Sequence, residues 1–171
     1  MTEKTDDLIA EGREIATWHK NVIVKVPLTP DGIAAGKVLV GEGIRINVTL
    51  CFSVNQALLA AEIGAYIISP FVGRLDDINE DGIALVRDIV SAYRQQEVKT
   101  KVLSASLRGP LHVSQSALAG ADIGTMPLKV LEAMFHHPLT DAGLARFAED
   151  YRKSQEAHGT KNQAAEAAGK R

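Results

Sequence analysis

Apolar positions along the chain alternate between two spacings. Short β-branched runs at about Asn21–Val26, Arg45–Leu50, Ala65–Ser69, Lys101–Ala105 and Ile123–Met126 are separated by longer stretches with helical periodicity. That alternation predicts βα units around a parallel sheet. An opening helix is predicted over about Asp6–His19, with Leu8, Ile9, Gly12, Ile15 and Ala16 on one face. Asp6 and Asp7 at its start read as charges that suit the helix N-terminus. Pro27 ends the first strand by removing a backbone donor. Thr29-Pro30-Asp31 caps a helix to about Val40, because a first-turn proline lacks only an N–H that would have no helical partner. Gly41-Glu42-Gly43 closes that helix, and Ser53 caps another that Gly64 ends.

Pro70–Asn79 reads as a loop before a helix ending near Gln95. Further helices are predicted from Leu111 to Ala119 and from Pro127 to Phe135. His136-His137-Pro138 breaks the chain before a last helix, Thr140–Ser154, with Phe147 and Tyr151 one turn apart. From about Glu156 the Ala/Gly/Lys/Gln-rich tail is predicted to fray, which sets a domain of residues 1–155 against a flexible tail of 156–171. The predicted strands are apolar on both faces, as when a sheet is covered on both sides. Eight such units would close a barrel of about 250 residues; the pattern here supplies five, with an extra helix at each end.

Composition narrows the class without choosing a function. At 171 residues, 46% hydrophobic and 23% charged, the chain matches one globular domain with a substantial core. A net charge of −2 and 5% aromatics argue against a nucleic-acid partner. No apolar run approaches the roughly 18 residues of a membrane span, and the polar Met1–Asp7 start is no signal-peptide core. The single cysteine, Cys51, makes no intrachain disulfide and fits a reducing cytoplasmic setting. It reads as a small buried hydrophobe, although its place near Thr49 leaves a pocket-lining role open. Trp18 and Tyr66 read as core or interface residues. His136-His137 has no accompanying ligand cluster, so no metal site is assigned. Asn47-Val48-Thr49 matches a glycosylation sequon but lies in a predicted buried strand.

Lys25 is the most informative position. Inside Val22-Ile23-Val24-Lys25-Val26-Pro27 it reads either as an ammonium set in an apolar wall, where desolvation favours the neutral amine that attacks a ketone, or as an edge-strand lysine facing water. Polar residues gather near the carboxyl ends of the other strands: Asn47 and Thr49, Ser69 and Arg74, then Ser104, Ser106 and Arg108. Active sites of parallel α/β barrels lie at that end. Arg74 and Arg108, with the Ser106 hydroxyl, read as a phosphate site built from charge-assisted hydrogen bonds, or as two solvated surface arginines.

The runs Val24-Lys25-Val26-Pro27-Leu28-Thr29, Asn47-Val48-Thr49-Leu50-Cys51-Phe52-Ser53, Gln56-Ala57, Ser69-Pro70-Phe71-Val72-Gly73-Arg74-Leu75-Asp76-Asp77 and Ala105-Ser106-Leu107-Arg108 resemble the small-subunit transaldolase family in order and spacing, to about Tyr151. The resemblance implies a partial TIM (β/α)8 barrel, no cofactor, sugar-phosphate substrates and a homo-oligomer. It implies that Lys25 forms an imine with a donor ketose while Thr49 holds a catalytic water. Asn47 would bind donor hydroxyls, Ser69 and Phe71 would line the donor site, and Arg74, Ser106 and Arg108 would bind phosphate. The implied chemistry moves a dihydroxyacetone unit between sugar phosphates, as in the pentose phosphate pathway. The related fructose-6-phosphate aldolases typically carry Tyr where Phe71 stands, and Phe has no hydroxyl for proton transfer, so the resemblance leans to transaldolase. Phe71 otherwise reads as loop packing.

Two acids of the family, an Asp in an Asp-Thr-Ala-like first-strand motif and a Glu on the third strand, have no counterpart in these residues. The expectation is an open sheet with an uncovered inner face, completed by a partner or by strands outside this sequence, and little turnover by the 171-residue chain alone. A non-catalytic fragment that keeps a phosphate grip is the remaining reading.

Overall fold

The computed structural model describes residues 4–168, and side-chain surroundings for residues 4–156. Its elements run α1 (Thr5–Thr17), β1 (Val24–Pro27), α2 (Pro30–Gly41), β2 (Ile46–Cys51), α3 (Val54–Glu62), β3 (Ile67–Pro70), α4 (Val72–Asp76), α5 (Gly82–Gln95), β4 (Lys101–Ser104), α6 (Pro110–Ala119), β5 (Ile123–Gly124), α7 (Leu128–Ala133) and α8 (Pro138–Ala168). The strands form one parallel sheet in the order β1-β2-β3-β4-β5. A doubly wound sheet reverses its strand order. Here every crossover advances one strand in the same sense, which places the helices on one face, as in a (β/α)8 barrel. The fold is therefore α/β, a partial TIM-barrel sheet.

Local chemistry explains the entry to each helix. Thr29 sits in extended backbone and its Oγ1 accepts the Gly32 N–H at 3.0 Å, while Ser53 Oγ accepts the Gln56 N–H at 3.2 Å. Gly32 is also required by space, since a Cβ there would lie 1.9 Å from the Pro27 carbonyl oxygen. The turn out of β1 can close only over a hydrogen. Asp6 and Asp7 lie in the first turn of α1, which packs on α2 through Leu8, Ile9 and Gly12.

The core lies between the sheet and these helices. Val24, Val26, Ile46, Val48, Ile68 and Val102 meet Ala35, Leu39, Ala57, Ala60, Val86 and Ile89, all buried. Tyr93 reaches in to donate its hydroxyl to the Ala57 carbonyl at 2.6 Å. The other sheet face carries Lys25, Asn47, Thr49, Ile67, Ser69 and Lys101, as the register Lys25↔Asn47↔Ile67↔Lys101 and Pro27↔Thr49↔Ser69 requires.

Several sequence expectations change. The face opposite the helices is covered only in part: Asn47, Ile67 and Ser69 are buried there, while β1 and β4 alternate buried and accessible positions, so Lys25 and Lys101 are exposed. The segment expected as a loop after Pro70 contains α4, whose Val72 and Leu75 are buried one turn apart. Of the two readings of Trp18, core or interface, its 69% exposure removes the core one. Tyr66 is half-buried, with Arg45 and Lys101 over its ring at 5.4 and 5.3 Å.

The chain divides into two compact units, Met1–Leu131 and Glu132–Arg171. Within the second, α8 runs on to Ala168, where fraying was expected from Glu156. Ala, Glu, Gln and Lys, which dominate that stretch, are good helix formers. Phe147 and Tyr151 are exposed on α8. No helix among the described residues is long and apolar enough to cross a membrane.

Candidate active site

Lys25 and Asn47 are register partners on adjacent strands, about 4.8 Å apart in the direction of the ladder. Thr49 and Ser69 are partners in the next row of the same face. Asn47 and Ser69 are buried, and the Ser69 hydroxyl donates to Asn47 Oδ1 at 2.7 Å. With its oxygen engaged there, the Asn47 amide keeps its NH2 as a donor pair. Thr49 Oγ1 is buried and finds no hydrogen-bond partner among the described residues. A buried hydroxyl in that state favours water or a ligand hydroxyl beside it.

Of the two readings open for Lys25, the structure gives the exposed edge-strand one. With Val24, Val26, Pro27, Thr49, Leu50 and, from α1, Leu8, Glu11, Gly12 and Ile15, Lys25 lines a cavity of about 360 Å³ along β1. Lys25 and Thr49 share this cavity, whereas Asn47, Ser69, Phe71, Arg74, Ser106 and Arg108 do not line it.

The end of β2 is bent by an irregularity that the sequence did not signal. The register slips between Thr49 and Cys51, and Leu50 takes φ +64°. That left-handed conformation is unfavourable for leucine by about 1–2 kcal/mol, and such outliers gather at functional sites. The extra residue keeps Thr49 with Ser69 but pairs Cys51 with Pro70, which turns the thiol away from the Lys25 face. Cys51 is fully buried in the core and its Sγ contacts the Ser53 carbonyl at 3.4 Å. Burial pushes the thiol up to about 11. The pocket-lining role left open for it does not arise.

The arginines occupy the next two loops. Arg74 on α4 stacks over the Phe71 ring at 4.5 Å, and Phe71 also meets Phe52 at 5.9 Å between ring centroids. Phe71 thus serves as a platform for Arg74. Ser106 adopts φ +61°, a second left-handed non-glycine residue at a strand end. Its carbonyl accepts the Gly73 N–H at 3.2 Å, while Ala105 accepts the Val72 N–H at 2.9 Å. Arg108 is exposed and forms a bidentate pair with Asp77. The pairing holds the Asp77 carboxyl below the usual carboxylate range, chiefly through the Arg108 hydrogen bonds. Asp77 carried no role in the sequence reading. The only signal for it was an acid pair, Asp76-Asp77, just beyond Arg74.

The family model described as transaldolase/fructose-6-phosphate aldolase matches residues 1–169. A probable transaldolase of Roseiflexus sp. (strain RS-1) is 57% identical over 151 residues, spanning 88% of this chain and 70% of that protein. A probable transaldolase of Brachyspira hyodysenteriae is 55% identical over 150 residues, spanning 88% and 69%. Among solved structures, a GMP reductase of Trypanosoma brucei shares 19% identity at a TM-score of 0.48, over 60% of this chain and 24% of that one.

Proposed function

The chain belongs to the transaldolase/fructose-6-phosphate aldolase family, and from that premise we propose that Lys25 is its Schiff-base lysine in transfer of a dihydroxyacetone unit between sugar phosphates. The observation that carries this reading is the arrangement around Lys25. Its register partner Asn47 has an amide oriented by Ser69, and the cavity that Lys25 lines is shared by Thr49, whose buried hydroxyl has no partner among the described residues.

The Lys25 amine adds to the ketose C2 carbonyl and water leaves, giving a protonated imine. The C3–C4 bond then breaks. Its electron pair flows into the imine to form an enamine on Lys25, and the C4 hydroxyl loses its proton as it becomes an aldehyde. The enamine carbon attacks the aldehyde of an acceptor aldose phosphate, and water, held at Thr49 Oγ1, hydrolyses the new imine. Asn47 binds donor hydroxyls, with Ser69 orienting it. Phe71 supports Arg74, and Arg74, Ser106 and Arg108 take the phosphate. A homo-oligomeric cytoplasmic enzyme of the pentose phosphate pathway follows from the same reading.

Product analysis tests it. With fructose 6-phosphate and erythrose 4-phosphate, transfer to the acceptor supports the proposal, and release of free dihydroxyacetone supports the aldolase reading instead. Phe71 has no hydroxyl to protonate the carbon of the Lys25-bound enamine, the step that would precede hydrolysis to free dihydroxyacetone, and so favours transfer. The carboxylates that the resemblance places on two further strands have no counterpart among these residues, so imine formation is expected to exceed turnover in this chain.

A further inference from the structure

Arg108 is held at both its guanidinium and its backbone N–H. Asp77, the residue that closes α4, takes its guanidinium through both Nη atoms. Gly73 lets the side chain lie close, since a Cβ there would stand 2.6 Å from Arg108 Nε. The Arg108 backbone N–H donates to His112 Nδ1 at 3.3 Å, and His112 Nε2 lies 3.1 Å from Asp76 Oδ2. The other Asp76 oxygen accepts the Gly82 N–H at 3.3 Å. Both α4 and α6 therefore contribute to holding one arginine.

We propose that Asp77 is a positioning residue that fixes Arg108 for anion capture and joins it to the loop carrying Arg74, making one preset phosphate cradle. The proposal rests on the phosphate-binding reading given above. Three features support it. An exposed ion pair contributes little to folding, so fold stability is a weak reason for a bidentate pair here. A guanidinium has five N–H donors in a rigid fork, and the pairing with Asp77 uses two, leaving the others for an anion. An arginine already held in place loses less side-chain freedom when it binds. Asp76 and His112 brace the backbone of the same residue, so the Arg108 side chain and main chain are both tied to α4.

Titration calorimetry of the full chain with inorganic phosphate tests this in the wild type and in Asp77→Asn, Asp77→Glu and Arg108→Ala, each checked for folding by its thermal midpoint. Asp77→Asn is expected to weaken phosphate binding about tenfold, and Asp77→Glu, which restores a carboxylate, to recover most of the loss. A merely structural role would move the midpoint and not the affinity. Should Asp77→Asn bind phosphate as tightly as the wild type, or more tightly, while Arg108→Ala loses binding, the positioning role is wrong and the phosphate site stands. Should the wild type bind no phosphate, or Arg108→Ala bind it undiminished, the phosphate reading itself fails and the proposal goes with it.

Discussion

Gly73→Ala probes the junction between the two arginine loops through space alone. Gly73 lies in the first turn of α4, where the backbone suits any L residue. An alanine Cβ would stand 2.4 Å from the Ser106 carbonyl oxygen, 2.6 Å from Arg108 Nε and 3.0 Å from Arg108 Cδ. An ordinary C···O contact is about 3.3 Å, so the Ser106 carbonyl must retreat by about 0.9 Å. That carbonyl accepts the Gly73 N–H at 3.2 Å, and the retreat breaks the bond. Overpacking costs about 1–3 kcal/mol and the lost hydrogen bond about 1 kcal/mol. The better helix propensity of alanine returns about 1 kcal/mol, leaving a net loss of about 1–3 kcal/mol. At about 2–4 °C per kcal/mol for a chain of this size, the midpoint should fall by roughly 2–12 °C in far-UV circular dichroism. Phosphate affinity should fall with it, because Arg108 leaves its seat. An alanine variant that melts with the wild type and binds phosphate equally well refutes the packing argument.

Leu39 is fully buried and meets Gly12 of α1, so Leu39→Ala should lower unfolding free energy by about 2–5 kcal/mol in urea titration. Leu50→Val, which puts a β-branched residue at φ +64°, should cost about 1–2 kcal/mol, while Leu50→Gly stays within about 0.5 kcal/mol of wild type as relieved strain offsets added chain freedom. Cys51 should resist thiol alkylation at mildly alkaline pH in the folded chain and react at once in denaturant. Its raised value means that the folded form favours the neutral thiol. The thiol's contribution to stability is therefore full below the unfolded thiol's value and declines as pH rises through about 11.

Much of the scaffold was legible because its signals are local. Thr29 and Ser53 cap their helices through the N–H groups the capping rule names, and the βα alternation gave the sheet its class. What was not legible depends on partners distant in sequence. Strand composition does not say which face helices will cover, so the exposure of Lys25 emerged only from the register with Asn47. α4 is too short to show a helical period. The bulge at Leu50 uses a residue that avoids left-handed backbone, so no glycine or asparagine marks it. Asp77 meets Arg108 thirty-one residues away, a pairing that no local pattern encodes. Arg74 and Arg108 follow β3 and β4 in the chain, but their environments, an aromatic platform and an acidic clamp, are tertiary facts.

The central claim is that Lys25 forms an imine, and borohydride trapping tests it most directly. The full chain is incubated with fructose 6-phosphate, reduced, digested and mapped by mass spectrometry. A stable adduct is expected on the peptide containing Lys25, absent without the ketose and absent from Lys25→Met. Adduct formation at other lysines alone, or none on a folded chain that binds phosphate, contradicts it.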